Sequence, residues 1–253
     1  MPTVKDVASK ANVSPGTVSN VLTGKRPVAP ATRERVLQVI EELGYQPNIL
    51  ARSLINRRSD TIAVVASGLE YFGPSQAVTG IEREADRYGY SVLLELVPWL
   101  DRGQAKATLA KLAGRQVDGI IWAVPEIQDN RDWLDHANFD RLPPIVFMSM
   151  AARPGIHVVA AGNREGARLA TQHLIGQGRT RIGHISGPPD WWEAQERRLG
   201  WQEALAEAGL PCESSQVYAG DWYAASGEAG LNELLARHPD LDAIFAGNDQ
   251  MAL

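Results

Sequence analysis

The chain has 253 residues, of which 44% are hydrophobic, and a formal net charge of −5. This size can bury a full core and a small additional domain, whereas no apolar run approaches the length of a membrane span and the N-terminus lacks a signal-peptide pattern. The single cysteine, Cys212, cannot form an internal disulfide, so the composition predicts a cytoplasmic protein.

The charge is divided unevenly along the chain. Residues 1–58 hold nine Lys/Arg against four Asp/Glu, a net of +5, whereas the remaining residues hold 16 against 26, a net of −10. A basic segment can supply the phosphate contacts that dominate affinity for DNA, while the acidic remainder would be repelled by it. A run of charged residues usually marks only a solvent-exposed face. Here, however, the change from basic to acidic composition coincides with the domain boundary predicted below.

Two short helices are predicted within residues 3–23. Thr3 can cap the first in a capping box with Asp6, and Ser14 can cap the second, with Pro15 at its first position. Val18 and its apolar neighbours on the second helix would face inward. The outward residues are Pro15, Gly16, Thr17, Ser19 and Asn20. This pattern favours a helix-turn-helix unit that reads the DNA major groove, with an ordinary helical hairpin as the alternative.

A third helix is predicted from Pro30 to Leu43, with Gly44 as its stop signal. Its predicted inner residues are Val36, Leu37, Val39, Ile40 and Leu43. The following segment, residues 48–56, has helical spacing for about two turns, which is too short to be stable alone in water. A polar, basic connector then runs to Asp60.

From Thr61 onward, short apolar strands alternate with amphipathic helices, which predicts parallel sheets with right-handed crossovers. The predicted strands are 61–66, 91–97, 117–124, 144–149, 157–161, 181–186, 216–220 and 242–247. The predicted helices are 75–88, 104–112, 131–139, 166–175, 194–208 and 227–236. The strand–helix units are too many for a single sheet of ordinary size. We therefore expect two lobes with a ligand cleft at the carboxyl ends of the strands.

The sequence contains few candidate catalytic groups. The five histidines are scattered without partners at metal-ligand spacing, and phosphate-loop and nucleophile-elbow motifs are missing from the sequence. Trp122 and Trp222 stand at predicted strand ends, where indole faces can stack on sugars. The alternative is that they fill the core, which we expect of Trp99, Trp133 and Trp201. No enzyme, metal or cofactor is therefore predicted.

In order and spacing, several motifs resemble the lac-repressor family of bacterial transcription regulators: VKDVASKANVSPGTVSNVL, TRERV, ELGYQPN and ARSL. The resemblance implies an all-α helix-turn-helix head and a hinge helix, followed by a two-lobed α/β periplasmic-binding-protein-like core with parallel sheets. The expected boundaries are 1–47 for the head, 48–60 for the hinge and linker, 61–155 for the first lobe and 156–253 for the second. Family members continue for several more βα units, so we expect a core truncated at its C-terminus.

The implied function is a regulator, expected to be a repressor, that binds a pseudo-palindromic operator as a homodimer under the control of a small-molecule effector, expected to be a sugar. A nucleobase effector stays open, as do a stand-alone binding protein and an enzyme. The missing signal peptide and the basic head argue against the stand-alone protein. The missing acid–base constellation argues against the enzyme.

Two sets of site residues follow from these arguments. The predicted DNA contacts are Thr3, Ser14, Pro15, Gly16, Thr17, Ser19, Asn20, Arg33, Asn48, Ala51, Arg52 and Leu54. Leu54 is expected to wedge into the minor groove when two hinges pair over DNA, although it could instead pack on the body. The predicted effector contacts are Ser67, Tyr71, Phe72, Trp122, Ser149, Arg197, Trp222 and Asn248. Ser149 stands where many family members have an effector-binding aspartate.

Overall fold

The computed structural model describes residues 2–24, 26–46, 58–97 and 102–253, and the chain divides into two compact units, Met1–Ser59 and Asp60–Leu253. In the first unit, the helices are α1 (Val4–Lys10), α2 (Pro15–Thr23) and α3 (Pro30–Leu43). The bounds of α3 are those predicted from the sequence.

The N-termini of α1 and α2 are capped by local hydrogen bonds, as predicted. The backbone N–H of Thr3 donates to Asp6 Oδ2 at 2.7 Å, and the N–H of Asp6 donates to Thr3 Oγ1 at 3.4 Å, which completes the capping box. The N–H of Thr17 donates to Ser14 Oγ at 3.1 Å. Gly44 ends α3 with φ of +58°, a left-handed conformation that favours glycine.

Apolar side chains from all three helices pack into one small core. Its buried members are Val7, Ala8, Ala11, Val18, Val21, Val36 and Val39. Leu37, predicted to face inward, is instead 43% exposed. Because consecutive helical residues point about 100° apart, Leu37 cannot share the inner face with Val36 and Val39. The prediction for Leu37 is therefore wrong.

The second unit alternates strands and helices. Its strands are β1 (Thr61–Ala66), β2 (Ser91–Leu96), β3 (Gly119–Ala123), β4 (Ile145–Met148), β5 (Val158–Val159), β6 (Ile182–Ser186), β7 (Val217–Ala219) and β8 (Ala243–Ala246). Its α-helices are α4 (Phe72–Arg87), α5 (Arg102–Gly114), α6 (Asn163–Gly176), α7 (Trp192–Glu207), α8 (Ala224–Arg237) and α9 (Asp249–Ala252). Within the described ranges, no helix is both long and apolar enough to span a membrane.

The described strands form two parallel sheets. One has the order β2-β1-β3-β4-β5 and the other β7-β6-β8. In the first sheet Ala63 of β1 lies between Leu93 of β2 and Ile120 of β3. Both sheets are parallel, as predicted, so the carboxyl ends of the strands within each sheet lie at one edge. The first sheet continues to Val159, beyond the lobe boundary expected at residue 155.

One predicted helix is wrong. Residues 131–139 contain only a 3₁₀ helix, Asp132–His136. Arg131 is 1% exposed and donates from its guanidinium to the backbone oxygen of Val124, while Leu134 packs in the core. These tertiary contacts hold the segment in a turn, and they override the helical spacing of its residues.

Candidate functional site

Helix α2 carries five of the twelve residues predicted to contact DNA, and Ser14 caps it. Pro15, Gly16 and Ser19 are exposed, and Thr17 and Asn20 are half-buried. Ser14 is exposed, but its hydroxyl is used in the cap and lies 3.0 Å from Thr17 Oγ1. The residues at the start of α2 are therefore held by the cap and present small side chains and backbone, while Ser19 and Asn20 lie further along the helix.

The other predicted DNA contacts lie on other elements of the head or outside the described residues. Thr3 is exposed, with its hydroxyl donating to Asp6 Oδ2 at 2.8 Å, and Arg33 is exposed in the first turn of α3. Asn48, Ala51, Arg52 and Leu54 fall outside the residues that the structure describes. Their role stays a prediction.

A cleft of about 590 Å³ opens in the second unit, between the two sheets. Its walls are formed where β3, β4 and β8 end and where α4, α6 and α7 begin, which is the expected place for a ligand site in a parallel α/β structure. Six of the predicted effector residues line it: Tyr71, Phe72, Ser149, Arg197, Trp222 and Asn248.

One wall of the cleft is aromatic. Trp191 and Trp222 meet edge to face with their ring centroids 5.6 Å apart, and Tyr71 meets Trp191 in the same way at 5.5 Å. Tyr71 also lies 5.2 Å from Tyr223. Such edge-to-face packing holds the rings in fixed orientations. Trp191 and Trp222 line the cavity, although they are only 8% and 6% exposed.

The main chain fixes Trp222. Its φ is +77°, in the left-handed region, and its carbonyl oxygen accepts a 3.0 Å hydrogen bond from Asn248 Nδ2. The same Asn248 caps α9 by accepting from the N–H of Met251 at 2.9 Å. The ring lies directly on Gly187, where a Cβ atom would come within 2.0 Å of the indole. Glycine is therefore needed at 187 for this position of the ring.

Arg197 supplies the cationic group of the cleft. Its Nε donates to Asn163 Oδ1 at 2.8 Å, another of its nitrogens donates to the backbone oxygen of Gly247, and its guanidinium carbon lies 5.5 Å from the centroid of Trp222. Burial lowers the pKa of Arg197, and the charges of Glu193 and Asp249 oppose that shift. The guanidinium is thus oriented on several sides before any ligand arrives.

Glu193 lies one helical turn before Arg197 and faces the same cavity. Burial raises the pKa of its carboxyl, whereas a hydrogen bond from Ser149 and the charge of Arg197 lower it. Ser149 follows β4 of the five-stranded sheet and Glu193 begins α7 after β6 of the three-stranded sheet. Residues that follow strands of different sheets therefore line the same part of the cleft.

A connection between the two sides lies beside the aromatic wall. Ile127 pairs with Trp191 in an isolated antiparallel bridge. Next to it, the N–H of Gln128 donates to the oxygen of Asp190 at 2.9 Å, and the N–H of Trp192 donates to the oxygen of Glu126 at 3.0 Å. The position of Trp191 is thus tied to both sheets.

The structure corrects two predicted cleft residues. Trp122 is 3% exposed and packs among Trp133, Phe147 and other core residues of the five-stranded sheet, because its position on β3 turns it away from the cavity. Ser67 is 3% exposed at the end of β1, which has a neighbouring strand on each side, and it does not line the cleft. Trp133 and Trp201 lie in the core as predicted, and Trp99 falls outside the described residues.

The sequence analysis missed Glu193, Asn163 and Gly187. A signal existed for Glu193, since a residue four positions before Arg197 shares its helical face. The contact between Gly187 and Trp222 joins residues distant in sequence and left no such signal. Among the described residues, no group of three or more His, Cys, Asp or Glu side chains is placed to hold a metal ion.

Comparison with known families assigns both units. Residues 3–48 match the family described as "Bacterial regulatory proteins, lacI family". Residues 61–253 match "Periplasmic binding proteins and sugar binding domain of LacI family".

Similar curated proteins are regulators of the same type. The HTH-type transcriptional regulator CelR of Thermobifida fusca is 38% identical over 100% of this chain and 75% of its own length. Catabolite control protein A of Priestia megaterium is 33% identical over 99% of this chain and 75% of its own length.

Solved structures agree with this assignment. A lac repressor dimer bound to operator and the anti-inducer ONPF superposes with a TM-score of 0.85 at 30% identity, and covers 99% of this chain and 75% of its own. A CelR–cellobiose complex superposes with a TM-score of 0.61 at 35% identity, with the same coverage. The chain therefore belongs to the LacI family of bacterial transcription regulators, which bind operator DNA through a helix-turn-helix head and an effector through a periplasmic-binding-protein-like core.

Proposed function

We propose that this regulator is a repressor that binds a pseudo-palindromic operator as a homodimer in the cytoplasm, and that a saccharide bound in the cleft controls its DNA binding. The main support for a saccharide effector is the aromatic wall of Trp191 and Trp222, which lies beside the oriented Arg197. The residue roles below belong to the same proposal.

The head supplies the DNA-binding surface. The exposed face of α2 is small enough to enter the major groove, and the basic charge of residues 1–58 supplies phosphate contacts. Asn20 is the base-reading residue of the proposal, because an amide can bond adenine in two places. The segment 48–56, outside the described residues, pairs with its copy over DNA and inserts Leu54 into the minor groove.

The chemistry of the cleft lining fits a sugar. A sugar presents apolar C–H faces, which stack on indole rings, and hydroxyl groups, which bond to guanidinium, amide and carboxylate side chains. The cleft places Arg197, Asn163 and Glu193 around the aromatic wall in that way. The similar protein CelR was solved with cellobiose, a disaccharide. Its ligand gives a first probe for this chain.

Gel-shift assays with DNA from upstream of the chain's own gene test the proposal, with and without a panel of sugars. We expect one sugar to change operator binding in the wild-type protein. Arg197→Ala and Trp222→Ala should abolish that response while leaving operator affinity intact. Tyr88→Ala is the matched control, because Tyr88 is 78% exposed and does not line the cleft. A tryptophan fluorescence change with a purine and with no sugar would overturn the saccharide proposal.

A further inference from the structure

We propose that Glu193 sets the charge class of the ligand: it accepts hydrogen bonds from a neutral, hydroxyl-rich ligand and excludes ligands that carry a phosphate or carboxylate group. This inference rests on the proposed function, since it concerns the effector of the same cleft. It goes further because it names one specificity-determining residue and divides possible effectors by charge.

Glu193 belongs to the lining of the cavity. The residue lies in the first turn of α7, where the helix dipole favours a negative charge, and it lines the cleft one turn before Arg197. Ser149 and Arg197 favour the ionised form of its carboxyl, whereas burial opposes that form. The ionised form has about four lone-pair sites, so it keeps acceptor capacity for hydroxyl groups of a ligand.

The balance of charge in the cleft disfavours an anion. Arg197 is the only cation among the described residues that line the cavity, and it faces two carboxylates, Glu193 and Asp249. Its guanidinium is already bonded to Asn163 and to the backbone of Gly247. A phosphorylated ligand would meet two like charges and only one opposite charge, which is partly engaged. A neutral polyol meets no such penalty.

The hydrogen-bonding capacity of Glu193 also separates the two ligand classes. A carboxylate can only accept, whereas a sugar hydroxyl can donate. A phosphate dianion has no proton to donate, so it would leave the remaining acceptor sites of Glu193 unfilled and desolvated. The Glu193 carboxylate therefore favours binding of neutral polyols and disfavours binding of phosphorylated ligands.

Calorimetric titration of the full chain tests this with pairs of probes that differ by one phosphate: cellobiose and its 6′-phosphate, glucose and glucose 6-phosphate, and inosine and inosine monophosphate. We expect the neutral member of the responding pair to bind at least about tenfold more tightly. Glu193→Gln should weaken binding of the neutral member and strengthen binding of the phosphorylated one. The ratio of the two dissociation constants should then be less than about threefold.

Two further variants separate charge from structure. Glu193→Asp keeps the charge but shortens the side chain, so it should continue to exclude the phosphorylated member while binding the neutral one less tightly. Glu196→Gln, on the same helix but away from the cleft lining, should change neither. Thermal melts confirm that each variant is folded.

Three results would contradict the inference: a wild-type preference for the phosphorylated member, an equal loss for both members in Glu193→Gln, or no binding of any pair. Binding of the purine pair alone would instead overturn the saccharide proposal. The charge preference within that pair would then decide the role of Glu193 separately.

Discussion

Gly187→Ala should displace the indole of Trp222 from the cleft wall. The added Cβ would lie 2.0 and 2.1 Å from two ring atoms, whereas carbon atoms in contact are normally about 3.5–4.0 Å apart. The backbone of Trp222 is held by Asn248, so the ring has to move. Because Gly187 is outside the left-handed region, alanine itself is permitted there and the effect comes from the ring alone.

The size of the effect follows from the contacts that the ring loses. Its edge-to-face packing on Trp191 is worth about 0.5–1.5 kcal/mol and its contact with Arg197 about 0.5–2 kcal/mol. We therefore expect the free energy of unfolding to fall by about 1–3 kcal/mol. Loss of the stacking surface should weaken effector binding about tenfold or more.

Calorimetric titration and urea unfolding measure both quantities, and gel shifts should show unchanged operator affinity. Gly183→Ala is the matched control on β6, since the nearest atoms to its Cβ would be the side-chain ends of Ile244, Leu241 and Leu234, at 2.8, 3.2 and 3.4 Å. In a Trp222→Ala background, Gly187→Ala should have no further effect on binding. Full effector affinity in the single variant would refute the argument that Gly187 positions the ring.

Three further predictions concern other parts of the chain. Burial lowers the pKa of His184 from 6.5 to about 4. Between pH 6.5 and pH 4, His184 is therefore protonated in the unfolded chain but not in the folded chain. The free energy of unfolding should fall by about 2 kcal/mol from pH 7 to pH 5. His184→Phe should remove this loss in urea unfolding at the two pH values, and an unchanged loss would contradict the assignment. Asn20→Ala should relax base choice at one position of each operator half-site, a discrimination of about 1–3 kcal/mol in gel shifts with altered operators, whereas uniform weakening at every base would indicate a phosphate contact. Leu54→Ala should reduce specific operator affinity and DNA bending in a circular-permutation assay, and unchanged bending would disprove the wedge.

The head was predictable in detail because its decisive interactions are local. The capping box of Thr3 and Asp6 and the cap of Ser14 on Thr17 each join residues three apart, so neighbouring sequence specifies them. The alternation of strands and helices likewise predicted two parallel sheets and the position of the cleft. These features follow from periodicity and chain direction, which the sequence contains.

The tertiary structure alone decided which side chains face the cleft. Trp122 and Trp222 both stand at strand ends, yet one packs in the core and the other lies against Gly187 at the cavity. Ser149 occupies the position at which the resemblance led us to expect a carboxylate, and the fold brings the carboxylate of Glu193 to it from the other sheet. Sequence spacing specifies the face of a single helix or strand. Contacts between residues tens of positions apart depend on which strands become neighbours in each sheet and on where the two sheets meet at the cleft.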